Sequence, residues 1–144
     1  MRPGEVRERL LSENDHIRVQ LAWVEDTAHR LSHNHALIQE VRDAATDLVH
    51  SMQEHVDFED IALAPMLREA EAWGEARADE LTKHHQQQQE KFKFAIDGIE
   101  RHRGDPDLLS QRVLRLAHDI RSEVDEEETK YFGSTIFRDD IGPN

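Results

Sequence analysis

His55-Val56-Asp57-Phe58-Glu59-Asp60 lies within a long helix-favouring stretch and interrupts its apolar stripe. The stripe begins Val41, Ala45, Leu48, Met52 and continues as His55, Glu59, Ala62, Met66. Steps of four and three alternate along it, which is the spacing of the inward face of a packed helix. A histidine and a glutamate therefore stand one turn apart where a bundle core is otherwise apolar. Glutamate is almost never fully buried unless a partner neutralises its charge. Something elsewhere in the chain must supply that partner.

At 144 residues the chain has the length of one domain, expected to span 1–144 with a loose tail from about 133. Its formal net charge of −13, from 31 acids against 18 bases, argues against nucleic acid or an anionic membrane as the main partner. The absence of cysteine removes disulfides, zinc–thiolate sites, iron–sulfur clusters and thiol nucleophiles together. No apolar run approaches a membrane span and no signal-peptide core is seen, so the expected location is the cytoplasm. Ten histidines are many for this length.

Breakers are few, and the stretches between them are rich in helix-forming Ala, Leu, Glu, Gln and Arg. The pattern predicts helices over 5–31, 35–72 (with Pro65 in its last third), 75–102 and about 106–132. Gly104, Asp105 and Pro106 read as a helix-ending glycine, an N-cap aspartate and a proline at the first helical position. Four long helices with short connections predict an all-α, up-down-up-down four-helix bundle.

Each predicted helix carries a polar group on its inner stripe. The third gives Leu81, His85, Gln88, Phe92, Ala95, Ile99, and the fourth gives Leu109, Val113, Leu116, Ile120, Glu123, Glu127, Tyr131. The first is less regular: Val6, Leu10, then His16 or Ile17, Gln20, Trp23 or Val24, Thr27, Leu31. An internal repeat aligns His55-Val56-Asp57-Phe58-Glu59-Asp60 with Glu123-Val124-Asp125-Glu126-Glu127-Glu128. The chain thus reads as two helical hairpins, each with one histidine (His16, His85) on its first helix and a pair one turn apart on its second.

Facing helices would gather His16, His55, Glu59, His85, Glu123 and Glu127. Carboxylates crowded in low dielectric are driven to take up protons. Two divalent cations would reverse this, and nitrogen and oxygen ligands without sulfur suit iron, with manganese as the alternative. His84 competes with His85, Gln88 is a candidate hydrogen-bond partner beside the centre, and Tyr131 lies one turn beyond Glu127. Trp23, Phe58, Phe92 and Phe94 read as packing residues.

Asp15-His16-Ile17-Arg18, the run His55-x-x-x-Glu59-Asp60-x-x-Leu63-x-Pro65, a histidine opening the third helix and an acidic pair in the fourth resemble the hemerythrin-like (HHE cation-binding) family. The resemblance covers nearly the whole chain. It implies a four-helix bundle holding a non-haem di-iron centre that meets dioxygen, peroxide or nitric oxide. It also implies His16, His55 and His85 as terminal ligands, with Glu59 and Glu127 bridging the irons.

The sequence departs from the family pattern twice. Glu123 stands where the family has a histidine, and Gln88 or Gln89 stands where oxygen carriers have a second histidine on the third helix. The extra carboxylate predicts a bias towards redox turnover as an oxidase, peroxidase or oxygenase, acting on dioxygen, peroxide or a small organic substrate. The alternatives are binding, sensing or storage without turnover, and a metal-free bundle.

Overall fold

The structure, a computed structural model, describes residues 1–70, 73–132 and 137. Four helices follow in order: α1 (Pro3–Leu31), α2 (Ile38–Ala70), α3 (Gly74–Arg101) and α4 (Pro106–Glu127). A 3-10 turn, His35–Leu37, leads into α2, and a π-helical turn, Glu128–Phe132, continues α4. There is no strand among the described residues. Each helix packs on its sequence neighbour and α4 returns to α1, so the chain forms the four-helix bundle that its periodicity predicts.

Helix ends follow local chemistry. Asn34 accepts from the Ala36 backbone N–H at 3.2 Å and caps the 3-10 turn, so regular α-helix starts at 38 rather than 35. Gly104 has φ 115°, a left-handed value that glycine adopts freely, and it ends the α3 connection. Asp105 then accepts from the Asp107 N–H at 2.9 Å, with Pro106 in the first turn of α4. At the other connection Gly74 lies so close to α2 that a Cβ there would collide with the Leu67 carbonyl. The expected end of the second helix at 72 lies outside the described residues. So does the expected loose tail, except Phe137, which is buried with its ring edge-on to Phe132 at 5.9 Å.

The interior comprises two apolar layers with a polar belt between them. One layer gathers Ile17, Leu21, Met52, Val56, Phe92, Ile120 and Val124 among others. The other contains Val6, Leu10, Phe58, Leu63, Leu81 and Tyr131. The residues that fall between these sets along each helix are polar and buried: Asn14, His55, Glu59, His85 and Gln88. Glu127 joins them from α4, with its side chain 10% exposed.

Some stripe positions differ from expectation. In α2 the buried face moves from Ala62 and Met66, both half-buried, to Leu63 and Leu67. Alternating steps of four and three average 3.5, and a straight helix at 3.6 drifts away from them. The same drift makes Val124, rather than Glu123, the buried residue in α4. In α1 the inner face is Val6, Leu10, Asn14, Ile17, Leu21 and Val24. Phe58 and Phe92 pack as expected, whereas Trp23 and Phe94 are exposed.

Candidate metal centre

His55 and Glu59 project into the belt from one face of α2. The His55 Nε2 lies 2.9 Å from Glu59 Oε1 and 2.9 Å from Glu127 Oε1 of α4. The Nε2–H is aligned on Glu127, so neither Glu59 oxygen receives a well-formed hydrogen bond although both are fully buried. The second Glu59 oxygen, Oε2, faces His85 Nε2 of α3 at 3.6 Å. Glu59 thus sits between two imidazoles and presents one oxygen to each. His55, Glu59 and Glu127 offer three ligand atoms within 4.8 Å of one another.

Both rings are held from behind. His55 Nδ1 donates to Glu13 Oε1 of α1 at 2.8 Å, and His85 Nδ1 donates to Asp60 Oδ1 of α2 at 2.6 Å. A carboxylate on Nδ1 fixes ring orientation and turns Nε2 towards the centre, the arrangement that supports metal-ligating histidines.

The charges oppose one another. Burial works against the His55 imidazolium, but Glu127, Glu13 and Glu59 outweigh it and push the pKa up to about 12. His85 is likewise raised, with Glu59 and Asp60 overcoming burial. Burial alone would raise Glu59, yet His55 and His85 hold it below the usual carboxylate range. Glu127 goes the other way: burial and the Glu59 charge raise it, and its contact with His55 does not compensate. Two acids this close cannot both be comfortable as anions in a low-dielectric site.

A family profile described as hemerythrin HHE cation binding domain matches residues 6–134. The chain belongs to the hemerythrin HHE cation-binding domain family. Comparison with curated proteins and with solved structures gave no significant match. The family implies a bound cation, and the belt fits one. Both oxygens of the buried Glu59 lack a well-aligned hydrogen-bond donor, and its charge is balanced by the imidazoles facing it at 2.9 and 3.6 Å, which leaves both oxygens able to ligate. Nitrogen and oxygen donors converge on it without sulfur, which suits iron or manganese.

Of the residues that the hemerythrin-like motif singles out, the structure brings His55, Glu59, His85 and Glu127 together. It does not bring His16 to them. His16 is exposed, on the rim of a shallow cavity with Glu13 and Glu54, because Ile17 takes the inward position beside it. Glu123 is also displaced: its Oε2 meets the exposed His84 Nε2 at 2.7 Å, away from Glu59. Gln88 is buried one turn past His85, and Tyr131 is buried with burial raising its phenol pKa.

Glu13 and Asn14 were not read as site residues, and Asp60 stands in the motif without a role assigned to it. Glu13 and Asp60 escape stripe analysis because they flank the inner face and touch only the outer nitrogen of each ring. The signal available was an acid next to, or on the helix facing, a candidate ligand. A cavity of about 230 Å³ between α3 and α4 reaches the site, lined by His84, His85, Gln88, Glu123, Glu127 and Tyr131.

Proposed function

We propose that this hemerythrin-like protein holds two iron ions in the belt and uses them to bind dioxygen, nitric oxide or peroxide. Glu59 carries this reading, because it is orphaned of hydrogen-bond donors and turns one oxygen to His55 and the other to His85. Glu59, Glu127, His55 and His85 would hold the ions. Manganese is the alternative metal for the same donors. Bound iron would supply redox-active centres with coordination positions open to a small molecule. Glu13 and Asp60 orient the imidazoles, the two apolar layers exclude water above and below, and the cavity between α3 and α4 admits the ligand. Gln88 and the protonated Tyr131 line that cavity and offer hydrogen bonds to what enters it.

Binding is favoured over redox turnover. The argument for turnover rests on Glu123 as an added ligand, and that carboxylate is engaged by His84 instead. No helix among the described residues is long and apolar enough to cross a membrane.

Reconstitution with iron(II) under nitrogen should give about two irons per chain by metal analysis. Exposure to oxygen or nitric oxide should then change the visible spectrum, and the change should reverse on removing the gas. Less than one iron per chain would overturn the metal reading, and steady consumption of peroxide or of an organic substrate would replace binding with turnover. Glu13→Gln and Asp60→Asn should each weaken iron affinity about tenfold, the usual cost of losing a partner that orients a ligand. A competition titration against a coloured chelator measures this, and unchanged affinity in both would show that the rings need no support.

A further inference from the structure

Each helix passes a buried polar side chain into the belt, and from α1 that residue is Asn14. It is fully buried, between Leu10 of one apolar layer and Ile17 of the other. Its level is that of the centre: the preceding residue, Glu13, reaches His55, and its own partner, Glu128, follows Glu127.

The orientation of the Asn14 amide follows from its partner. Nδ2 donates to Glu128 Oε1 at 3.3 Å, and the same oxygen accepts from Arg18 at 2.7 Å. Arg18 also donates to Asp125 at 2.9 Å, so the pair is anchored on both helices. An ionised carboxylate is an acceptor only, so it takes the NH₂ end of an amide and rejects the carbonyl end. A flipped amide is therefore excluded. Oδ1 is left buried and without a hydrogen-bond partner. Among the described residues the other buried side-chain oxygens in that condition are the two of Glu59, at the same level, and Gln20 Oε1, farther along α1.

We propose that Asn14 is the ligand that α1 contributes to the metal centre, through Oδ1, with Glu128 and Arg18 as the clamp that aims it. The inference rests on the metal reading above and adds a neutral oxygen donor to it. A hard amide oxygen beside carboxylates suits iron(II) or manganese(II). It also explains why α1 carries a polar residue at a position where leucine would join the two apolar layers.

The test is a titration of chelator-treated protein with iron(II) under nitrogen, in competition with a coloured chelator, together with thermal melts with and without iron. Asn14→Leu should bind iron at least about tenfold more weakly than wild type, and its iron-free melting temperature should not fall, because the orphan oxygen is gone. Asn14→Asp keeps an oxygen donor; it should hold iron within about threefold of wild type yet melt lower without iron, since it sets a carboxylate against Glu128. His16→Ala should bind as wild type does. If Asn14 serves only to hold Glu128, both Asn14 variants will melt lower without iron and neither will change affinity, which overturns the proposal and leaves the metal centre standing. Weakened binding in His16→Ala with unchanged binding in Asn14→Leu would overturn it equally. Should Asn14→Leu fail to fold, Asn14→Ala takes its place: binding at least about tenfold weaker supports the assignment and unchanged affinity overturns it. A wild-type protein that takes up no iron removes both this assignment and the centre beneath it.

Discussion

Glu59→Leu is expected to lose iron binding and yet melt no lower than chelator-treated wild type. With free iron(II) at about a thousand times the dissociation constant, binding should stabilise the wild-type protein by about 4 kcal/mol. For a chain of this size that is a rise of roughly 8–16 °C in Tm. The variant should show none of this rise, and its affinity should drop by at least about a hundredfold. Its iron-free stability is the sharper readout. Glu59 is fully buried with both oxygens lacking donors, and leucine has a similar volume. Removing one member of a buried ion pair costs about 3–5 kcal/mol when it leaves the other charge uncompensated. The His55 imidazolium is not stranded by the change, since Glu13 and Glu127 still flank it at 2.8 and 2.9 Å. A variant that melts well below chelator-treated wild type would show that Glu59 is a structural counter-ion to the two imidazoles.

The same experiment has a pH arm. The His55 pKa is pushed up to about 12, so the imidazole carries its proton at neutral pH before iron binds, and Glu127 is shifted in the same direction by burial and the Glu59 charge. Imidazole and carboxylate ligate in their deprotonated forms, so iron uptake must release protons. Apparent affinity should therefore weaken as pH falls, and the measured heat of binding should vary with the ionisation heat of the buffer. An affinity that does not change between pH 8 and about pH 6 would count against His55 and Glu127 as the groups displaced.

How far the sequence alone reaches is clearest in the contrast between α3 and α1. In α3, Leu81, His85, Gln88, Phe92 and Ile99 share one face by simple periodicity, and all are buried. In α1 the inner face continues from Leu10 through Asn14 to Ile17, two turns in seven residues. His16 is six residues from Leu10 and falls on another face, but histidine draws attention in a chain where ligands are sought. Asn14, a neutral side chain, carries no such signal. The internal repeat is sound where it pairs Glu59 with Glu127, but its partners His55 and Glu123 differ: His55 is 1% exposed, whereas the Glu123 side chain is 21% exposed and turned to His84. Helical drift decides that difference, because Val124 occupies the buried register between Ile120 and Glu127. The π turn after Glu127 is hidden for another reason: no residue type marks a widened turn as proline or glycine marks a break. Its presence beside the centre accords with the frequent placement of such turns at functional sites.

Gly74→Ala should destabilise the protein by about 3 kcal/mol, at the upper end of the usual cost of forcing extra volume into a packed interior. The corresponding fall in Tm is roughly 6–12 °C. A Cβ at position 74 would meet the carbonyl oxygen and carbon of Leu67, which are backbone atoms inside α2 and cannot rotate aside. Relief therefore requires the ends of α2 and α3 to separate. Leu67, Ala78 and Leu81 form part of the second apolar layer at that end, so separation exposes apolar surface as well. The damage should also reach the centre, because α2 carries Glu59 and α3 carries His85, now facing at 3.6 Å. Iron affinity should fall together with stability. Gly98→Ala provides the control in the same helix. There a Cβ would meet only the Arg112 guanidinium at 3.4 Å, the far end of a flexible side chain. Alanine also favours helix over glycine by about 0.5–1 kcal/mol, so this variant should be as stable as wild type or more so. Thermal melts of the two variants side by side separate close helix approach from helix propensity. Equal stability for both would mean that the α2–α3 connection yields at no cost and that the belt geometry does not depend on it.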